Sequence, residues 1–358
     1  MWRMVRTVMK TPHRYHRQTL LPQVGADGQA KLAKARVLLV GCGALGTVIA
    51  EQLVRAGIGH LTIVDRDTVE LTNLQRQTLF DERDAKEQSP KAIAAAARLC
   101  AINSEVEIRP LVTDVHSGNI EEIAGVCSSL DTQRSALILD GTDNVATRYL
   151  INDVAVKHNL PWIYGGAVAT EGRVMAVAPG KTACLRCLFP TPPGAGDLPT
   201  CDTAGVLGMG ATIVGAFQAM QALKILVGAE VEEQMLVMDF WPWRMRSVST
   251  VDGRRADCPC CGEKRFDFLN TRADSTLSVC GRNAMQVRPA AGGRVDLEAM
   301  AGKLRSAGEV QRTPHLVRCQ LREPAGVGLT VFADGRTLIH GVTDGTRAKS
   351  IHARFVGA

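Results

Sequence analysis

Short runs of apolar residues alternate along the chain with segments in which apolar positions recur at helical spacing. Five runs are predicted to form strands, at residues 36–40, 61–64, 106–111, 136–139 and 161–164. Helices are predicted between them, at residues 47–56, from residue 90 onward behind an N-cap at Ser89, at 119–124 and at 145–158. This alternation favours an α/β fold with a doubly wound, Rossmann-like, mainly parallel sheet. Three later runs, at 171–178, 236–239 and 245–251, are predicted to add antiparallel strands.

The longest apolar region, from Gly205 to Gly228, raises the question of a membrane span. It contains Gln218, Gln221 and Lys224 as well as several glycines. Such an interrupted run is more typical of a buried helix than of a membrane-spanning one. We therefore expect a cytoplasmic protein with no membrane partner.

The two ends of the chain differ from its middle. From Met1 to Ala26 there are five basic residues and no acidic one: Arg3, Arg6, Lys10, Arg14 and Arg17. This segment lacks a long apolar stretch and a small-residue cleavage site, so residues 1–18 are interpreted as a basic arm. We expect the main domain at residues 19–270 and a small α+β module at 271–358. In that module we predict a helix over 297–307 and a hairpin with a type I′ turn at Asp334-Gly335.

Composition narrows the class of function. Of the 358 residues, 46% are hydrophobic and 22% are charged, which excludes a disordered chain. The net charge of +6 is modest, and aromatic residues make up only 4%. A surface that stacks nucleic-acid bases on aromatic rings is therefore not expected, and no nucleic-acid partner is predicted.

The eleven cysteines contain two CxxC pairs. The four residues are Cys184, Cys187, Cys258 and Cys261. Two such turns complete the four-sulfur shell that Zn²⁺ accepts, and a closed shell indicates a structural metal. The alternative is four unligated thiols that share this spacing by chance. Cys260 lies inside the second pair but lacks the spacing, and Cys42, Cys100 and Cys127 lie in apolar stretches and are expected to be core residues.

A glycine-rich turn separates the first predicted strand from the first predicted helix. Gly41, Gly43 and Gly46 have the GxGxxG spacing, and Asp65 follows at the end of the next strand. In such a unit the glycines let the backbone approach the phosphates of a nucleotide, and the helix N-terminus faces their negative charge. The acidic residue accepts hydrogen bonds from the ribose hydroxyls. The pattern indicates a nucleotide site without saying which nucleotide binds.

Further motifs accompany this turn in a fixed order. They are Arg14-Tyr-His-Arg17-Gln18, Asp65-Arg-Asp67, Asn73-Leu-Gln-Arg76-Gln77, Lys91, Thr142-Asp143-Asn144 and the two CxxC pairs. Together with the glycine turn they resemble the ThiF/MoeB adenylyltransferases, relatives of the ubiquitin-activating E1 enzymes, over about residues 14–268. The resemblance implies a homodimeric enzyme that uses ATP and Mg²⁺ and carries a structural Zn²⁺.

The resemblance also implies roles for single residues. The residues that match ATP-binding positions are Gly41, Gly43 and Gly46, Asp65 at the ribose, Asn73, Arg76 and Lys91 at the phosphates, Asp143 at the Mg²⁺, and Asn144. Arg17 matches an arginine that reaches the ATP of the partner subunit. Cations at these places would offset the repulsion between a carboxylate nucleophile and a triphosphate. The simpler alternatives are solvated surface cations for Arg76 and Lys91 and a helix cap for Asp143.

The implied reaction joins the C-terminal glycine carboxylate of a ubiquitin-like sulfur carrier, of the ThiS/MoaD type with a Gly-Gly end, to AMP with release of pyrophosphate. It would serve thiamine thiazole or molybdopterin synthesis, with a cysteine desulfurase or another persulfide donor as a further partner.

Cys201 lies in a segment expected to be flexible and matches a cysteine that some family members join covalently to the carrier; the alternative is an accessory thiol. Activation of a tRNA or peptide, an NAD-dependent oxidoreductase and a non-catalytic scaffold stay open.

Overall fold

The computed structural model describes residues 14–127, 134–194, 197, 199–271, 276–279, 284–287 and 295–357. The chain divides into two compact units, Met1–Asn270 and Thr271–Ala358. Of the basic arm expected at residues 1–18, only residues 14–18 are among those described.

An eight-stranded sheet forms the centre of the first unit, in the order β3-β2-β1-β4-β5-β6-β7-β8. The strands are β1 (Arg36–Val40), β2 (His60–Val64), β3 (Glu107–Leu111), β4 (Leu137–Asp140), β5 (Trp162–Val168), β6 (Glu171–Val177), β7 (Gln234–Asp239) and β8 (Arg244–Ser249). From β3 to β5 the neighbours are parallel, and from β5 to β8 they are antiparallel. The predicted doubly wound sheet with added antiparallel strands is confirmed.

Helices cover both faces of this sheet. They are α1 (His16–Thr19), α2 (Gly25–Leu32), α3 (Ala44–Ala56), α4 (Glu82–Glu87), α5 (Lys91–Ile102), α6 (Ile120–Ile123), α7 (Val145–Lys157), α8 (Leu185–Leu188), α9 (Cys201–Ala204), α10 (Gly208–Val227) and α11 (Asp267–Asn270). Side chains alternate across β1, so Leu39 packs in the core with α3, α5 and α10, whereas Leu38 packs in the core with α7. Because both faces are covered, the strand is apolar from Val37 to Val40.

Two details of the helices differ from the sequence prediction. Helix α3 begins at Ala44, with Gly43 as its N-cap, so the glycine turn forms the start of the helix. The predicted N-cap at Ser89 is wrong, because a bridge between Thr68 and Pro90 holds Pro90 extended. Pro90 is therefore the N-cap of α5, and the helix begins at Lys91.

Helix α10 is long and apolar enough to cross a membrane by length and composition alone, the one such helix in the part of the chain described. Its inner face packs on α3 and the sheet, where the side chain of Gln218 is fully buried. Met209 and Met220 on its outer face are exposed. The prediction of a buried helix is therefore correct for the inner face only.

Two cysteines expected in the core are exposed, so that prediction is wrong for Cys100 and Cys127 and correct for Cys42. Cys100 lies on α5, an amphipathic helix that buries Ala95 and Leu99 on its inner face. A cysteine within an apolar stretch therefore need not face inward on a helix with one solvated side.

The second unit contains a six-stranded antiparallel sheet in the order β11-β12-β13-β14-β10-β9. Its elements are β9 (Thr276–Val279), β10 (Ala284–Val287), α12 (Leu297–Leu304), β11 (Gly308–Arg312), β12 (Leu316–Leu321), β13 (Gly328–Phe332), β14 (Thr337–His340) and α13 (Gly345–Phe355). The predicted hairpin forms between β13 and β14. The type I′ turn is wrong: Gly335 has φ of 82° but Asp334 does not have a positive φ, and a type I′ turn needs both.

Candidate nucleotide site and cysteine cluster

The parallel strands end at one edge of the sheet, which is where doubly wound folds bind ligands. The glycine turn follows β1, and Asp65 follows β2. Asp143 lies three residues after the end of β4. The fold thus brings the predicted phosphate loop, ribose acid and metal acid to the same edge.

The three glycines of the turn differ in what surrounds them. A Cβ on Gly46 would lie 2.1 Å from the carbonyl oxygen of Gly41, and one on Gly41 would lie 2.7 Å from the carbonyl oxygen of Gly141. Neither position can hold a side chain without backbone movement. A Cβ on Gly43 would meet only Gln77 Nε2, at 3.8 Å. Protein packing therefore explains Gly41 and Gly46, whereas Gly43 faces open space at the start of α3.

Asp65 is locked to the glycine turn by its own hydrogen bonds. Its Oδ2 accepts from the backbone N–H of Cys42 at 2.7 Å, and its Oδ1 accepts from that of Asp67 at 2.7 Å. Burial raises the pKa of Asp65, and the positive charge of Lys91 opposes that shift. The carboxylate is therefore fixed in orientation beside the loop.

Two cations lie against this acid-rich edge. Lys91 is only 5% exposed, and its Nζ lies 3.5 Å from Asp67 Oδ2, so it is not a solvated surface cation. Arg66 Nη1 lies 3.3 Å from Asp114 Oδ1. Burial opposes the charge of Arg66, but nearby carboxylates, Asp114 first and Asp143 among them, raise its pKa. The edge thus combines fixed charges of both signs.

The segment after β2 places the predicted phosphate-contacting residues beside α3. Asn73 is buried, and its Oδ1 accepts from the backbone N–H of Glu70. Arg76 is half-buried, and its Nη1 donates to the carbonyl of Thr72 at 2.9 Å. The neighbouring Gln77 is buried close to Gly43 and was not singled out from the sequence as a site residue.

The loop after β4 separates the roles of two adjacent polar residues. Asn144 is the N-cap of α7, and its Oδ1 accepts from the backbone N–H of Thr147 at 3.2 Å. Asp143 is exposed, and among the described residues it forms no ion pair and accepts no side-chain hydrogen bond. The alternative of Asp143 as the helix cap is therefore wrong, and its carboxylate is available to a ligand.

A buried network that the sequence did not reveal holds this loop. Asp140 is fully buried, and its Oδ2 lies 3.0 Å from Arg148 Nε. The Thr142 hydroxyl and backbone N–H both donate to Asp140 Oδ1. Gln218 Nε2, on α10, donates to the Asp140 carbonyl at 2.8 Å. Asp140 lies on β4 and Arg148 on α7, so no helical spacing relates them, and Gln218 is 78 residues away from Asp140 in the sequence.

Arg17 and Cys201 lie outside the loops described so far. Arg17 lies on α1 and is exposed; in the described part of the chain its guanidinium has no ion-pair partner. Cys201 is half-buried and is the first residue of α9, with Sγ 3.5 Å from the carbonyl of Ala167 near the end of β5. It is thus on a short helix and not in an irregular loop.

The four predicted metal ligands form one buried cluster. The Sγ atoms of Cys184, Cys187, Cys258 and Cys261 lie within 4.8 Å of one another. The Sγ of Cys184 lies 3.7 Å from that of Cys258, and the Sγ of Cys187 lies 3.3 Å from that of Cys261. Four sulfurs at about 2.3 Å from a tetrahedral Zn²⁺ would be about 3.8 Å apart. The donor set and spacing fit zinc with little adjustment.

Comparison with known proteins places these features in a family. The model of the ThiF family matches residues 15–260. The sulfur carrier protein ThiS adenylyltransferase of Bacillus subtilis (strain 168) is 43% identical over 346 residues, which cover 96% of this chain and 99% of the relative. The sulfur carrier protein adenylyltransferase of Thermus thermophilus is 38% identical over 259 residues, covering 70% of this chain and 91% of the relative.

Solved structures show the same fold. Escherichia coli MccB in complex with MccA-N7isoASN aligns with a TM-score of 0.61 at 21% identity, covering 71% of this chain and 75% of MccB. At that identity the likeness concerns the fold alone. The match of the family model over more than half of the chain and the 43% identity over nearly all of it agree. The chain therefore belongs to the ThiF family.

Proposed function

We propose that this nucleotidyltransferase, which uses ATP, adenylates the C-terminal carboxylate of a ubiquitin-like sulfur-carrier protein and releases pyrophosphate. The observation that carries the proposal is the 43% identity, over 96% of the chain, to an enzyme named a ThiS adenylyltransferase. The clustering of the glycine turn, Asp65 and Lys91 at one sheet edge supports it. The pathway is thiamine or molybdopterin synthesis. Neither the Bacillus nor the Thermus relative is named as an oxidoreductase or a scaffold protein.

The chemistry needs little besides charge neutralisation and placement. A carboxylate is ionised at neutral pH and can attack the α-phosphorus without a general base. The attack is opposed by electrostatic repulsion between the carboxylate and the triphosphate. Cations that the fold holds in place before the reaction reduce this repulsion. Lys91, Arg76 and the N-terminus of α3 would face the phosphates, and Asp65 would accept from the ribose. The leaving group is pyrophosphate, and the product is a mixed acyl–phosphate anhydride.

Asp143 would hold Mg²⁺ in this scheme. Its carboxylate is exposed at the ligand-binding edge, and oxygen ligands of this kind suit the ion. Mg²⁺, when bound together with phosphate oxygens, supplies neutralisation of charge on the leaving pyrophosphate. The protein's part is to keep Asp143 in place, which the bonds of Asp140 with Arg148 and Thr142 do.

We extend the proposal to the partner subunit. Arg17 is an exposed cation on α1 whose guanidinium has no ion-pair partner within the described residues. In a homodimer it would reach the ATP of the other subunit and add a positive charge there. Each site would then be complete only in the dimer.

Cys201 would act after adenylation. Its thiol lies beside the end of β5, at the same edge of the sheet as the glycine turn. A thiolate attack on the acyl-adenylate forms a C–S bond and breaks the bond to the phosphate, giving a thioester and AMP. The terminal sulfur of a persulfide donor such as a cysteine desulfurase would then displace the Cys201 thiolate from the acyl carbon. Reduction of the resulting acyl disulfide by a thiol would release the carrier thiocarboxylate and leave a disulfide. The four-cysteine cluster would hold a structural Zn²⁺ apart from this chemistry.

Pyrophosphate exchange into ATP tests the proposal. Purified protein is mixed with ATP, labelled pyrophosphate and a carrier of either the ThiS or the MoaD type, each ending in Gly-Gly. Exchange with one of them, abolished when the carrier's terminal glycine is deleted, is the expected result. ATP binding without exchange on either carrier would overturn the proposed substrate.

A further inference from the structure

A buried amide links helix α7 to the cysteine cluster. Asn152 has no exposed surface and lies in the middle of α7. Its Nδ2 lies 3.7 Å from the Sγ of Cys184 and 3.2 Å from the Sγ of Cys260. Its Oδ1 accepts from the backbone N–H of Leu185 at 2.9 Å.

These contacts fix which way round the amide lies. The Leu185 N–H can only donate, so the atom facing it must be the oxygen. The NH₂ group, which can only donate, then faces the two sulfurs. The contact with Cys260 is the shorter of the two, and the contact with Cys184 becomes a charge-assisted hydrogen bond when Cys184 is a thiolate ligand.

Other contacts hold the same face of α7 against the cluster. Asp153, the next residue, is fully buried, and its Oδ2 accepts from the backbone N–H of Phe268 on α11 at 2.9 Å. Arg186, between the first two cysteines, pairs with Asp267 at 3.0 Å and lies over the Phe268 ring. Helix α7 is thus held against the cluster, and the Asn152 side chain on it is fully buried.

We propose that Asn152 is a positioning residue for the zinc of the four-cysteine cluster. Its N–H donates to the Cys184 thiolate and its carbonyl sets the start of the short helix that joins Cys184 to Cys187. This inference rests on the proposed zinc site and is independent of the carrier. Outer-shell partners of this kind typically contribute a factor of about 10–100 to metal affinity.

An Asn152→Asp variant separates the two functions of the side chain. The aspartate keeps an oxygen for the Leu185 N–H but removes the donor to sulfur. We expect the full-length variant to bind zinc about 10–100-fold more weakly in competition with a chromophoric chelator. In the cobalt-substituted protein, the sulfur-to-metal charge-transfer band should move to lower energy, because the thiolate loses a hydrogen bond.

A second buried asparagine is the matched control. Asn103 is also fully buried, and its Nδ2 donates to the carbonyl of Val54 and to the Tyr15 hydroxyl rather than to any of the four clustered cysteines. Asn103→Asp introduces the same charge at equal burial and should leave both zinc affinity and the cobalt band as in wild type. An unchanged affinity and band in Asn152→Asp would overturn the inference. Wild-type protein that binds no zinc would overturn the zinc site too, while pyrophosphate exchange tests the carrier separately.

A measurement on the wild-type chain covers the case in which the variant does not fold. In cadmium-113-substituted protein with nitrogen-15 asparagine, the Asn152 N–H protons should show scalar coupling to the metal through the hydrogen bond to sulfur. Coupling at one asparagine amide supports the assignment. Its absence from every asparagine amide overturns it.

Discussion

The Nε of Arg148 lies 3.0 Å from Oδ2 of Asp140, a carboxylate with no exposed surface at the end of β4. The same guanidinium donates to the carbonyls of Thr142 and Gly165 and lies over the ring of Tyr164. Burial raises the pKa of Asp140, and the charge of Arg148 opposes this shift. The pair therefore ties the loop that carries Asp143 to two neighbouring strands.

Replacing Arg148 with methionine should destabilise the first unit strongly. The change leaves a buried carboxylate without its partner, which typically costs about 3–5 kcal/mol. Urea unfolding of the variant measures the loss. The double variant Asp140→Asn with Arg148→Met leaves no unpaired charge and should recover part of it. A single variant within about 1 kcal/mol of wild type would show that the pair does not hold the loop.

Alanine at Gly43 should separate nucleotide binding from folding. At this position a Cβ meets only Gln77 Nε2 at 3.8 Å, so the methyl group has room beside the protein. We expect the variant to fold, with a smaller loss of stability than Gly46→Ala, but with a KM for ATP raised at least about tenfold, because the methyl group would occupy the approach of the phosphates. Gly46→Ala is the contrasting control, since its Cβ would lie 2.1 Å from a backbone oxygen and should lower stability itself. An unchanged KM in Gly43→Ala would remove Gly43 from the phosphate site.

The features that the sequence predicted correctly are those that a short stretch of chain determines. The glycine turn, Asp65 at the end of the next strand and the two CxxC pairs each occupy a short stretch of chain, and each forms as a unit in the fold. The antiparallel strands after β5 were also predicted correctly. Their boundaries differ from the prediction by one or two residues: β7 begins two residues earlier, whereas β8 ends two residues earlier.

What sequence reasoning missed depends on contacts between distant segments. Gln218 donates a hydrogen bond to the Asp140 carbonyl, 78 residues away in the sequence, and Asn152 contacts the sulfur of Cys260, 108 residues away. Neither position has a local pattern that distinguishes it from other polar residues of an apolar helix. The error at Cys100 has the same origin, since which face of α5 is solvated depends on what packs against it.

Arg17 is expected to act on the partner subunit's site, and mixed dimers test this. Arg17→Ala and Asp143→Ala should each be nearly inactive in pyrophosphate exchange with the carrier. When the two are mixed and allowed to exchange subunits, half of the dimers contain one intact site, so activity should return to about one quarter of wild type. Both substituted residues are exposed, so folding should be unaffected. Failure of the mixture to regain activity, with subunit exchange verified by mass, would place Arg17 in its own subunit's site or outside the chemistry.

Cys201→Ala should keep adenylation and lose sulfur transfer. The thiol lies 3.5 Å from the Ala167 carbonyl and is half-buried, so its removal leaves a small gap at the surface. Pyrophosphate exchange should stay within about twofold, because the adenylation step does not use the thiol. Thiocarboxylate on the carrier, measured by mass with a persulfide donor and a thiol reductant present, should fall at least about tenfold. Cys100→Ala, which removes an exposed cysteine from α5, is the control; equal thiocarboxylate in both variants would make Cys201 an accessory thiol.

His352 gives the second unit a stability that depends on pH. The side chain is 7% exposed on α13, and among the described residues its Nε2 has no hydrogen-bond partner. Burial lowers its pKa in the folded state. The unfolded chain therefore binds the proton first, at about pH 6.5, and folding stability falls as the pH decreases below that value. The loss continues until the pH reaches the lowered folded pKa.

The free energy of unfolding of this unit should decrease by up to about 1.4 kcal/mol for each pH unit within that window. Urea titrations at several pH values, read by hydrogen exchange in peptides of α13 and β10, report on the unit by itself. His352→Leu removes the titrating group and should flatten the dependence, whereas His315→Gln, at a half-buried histidine of the same unit, should leave it as in wild type. If the slope below about pH 6.5 is the same in His352→Leu as in wild type, another group is responsible.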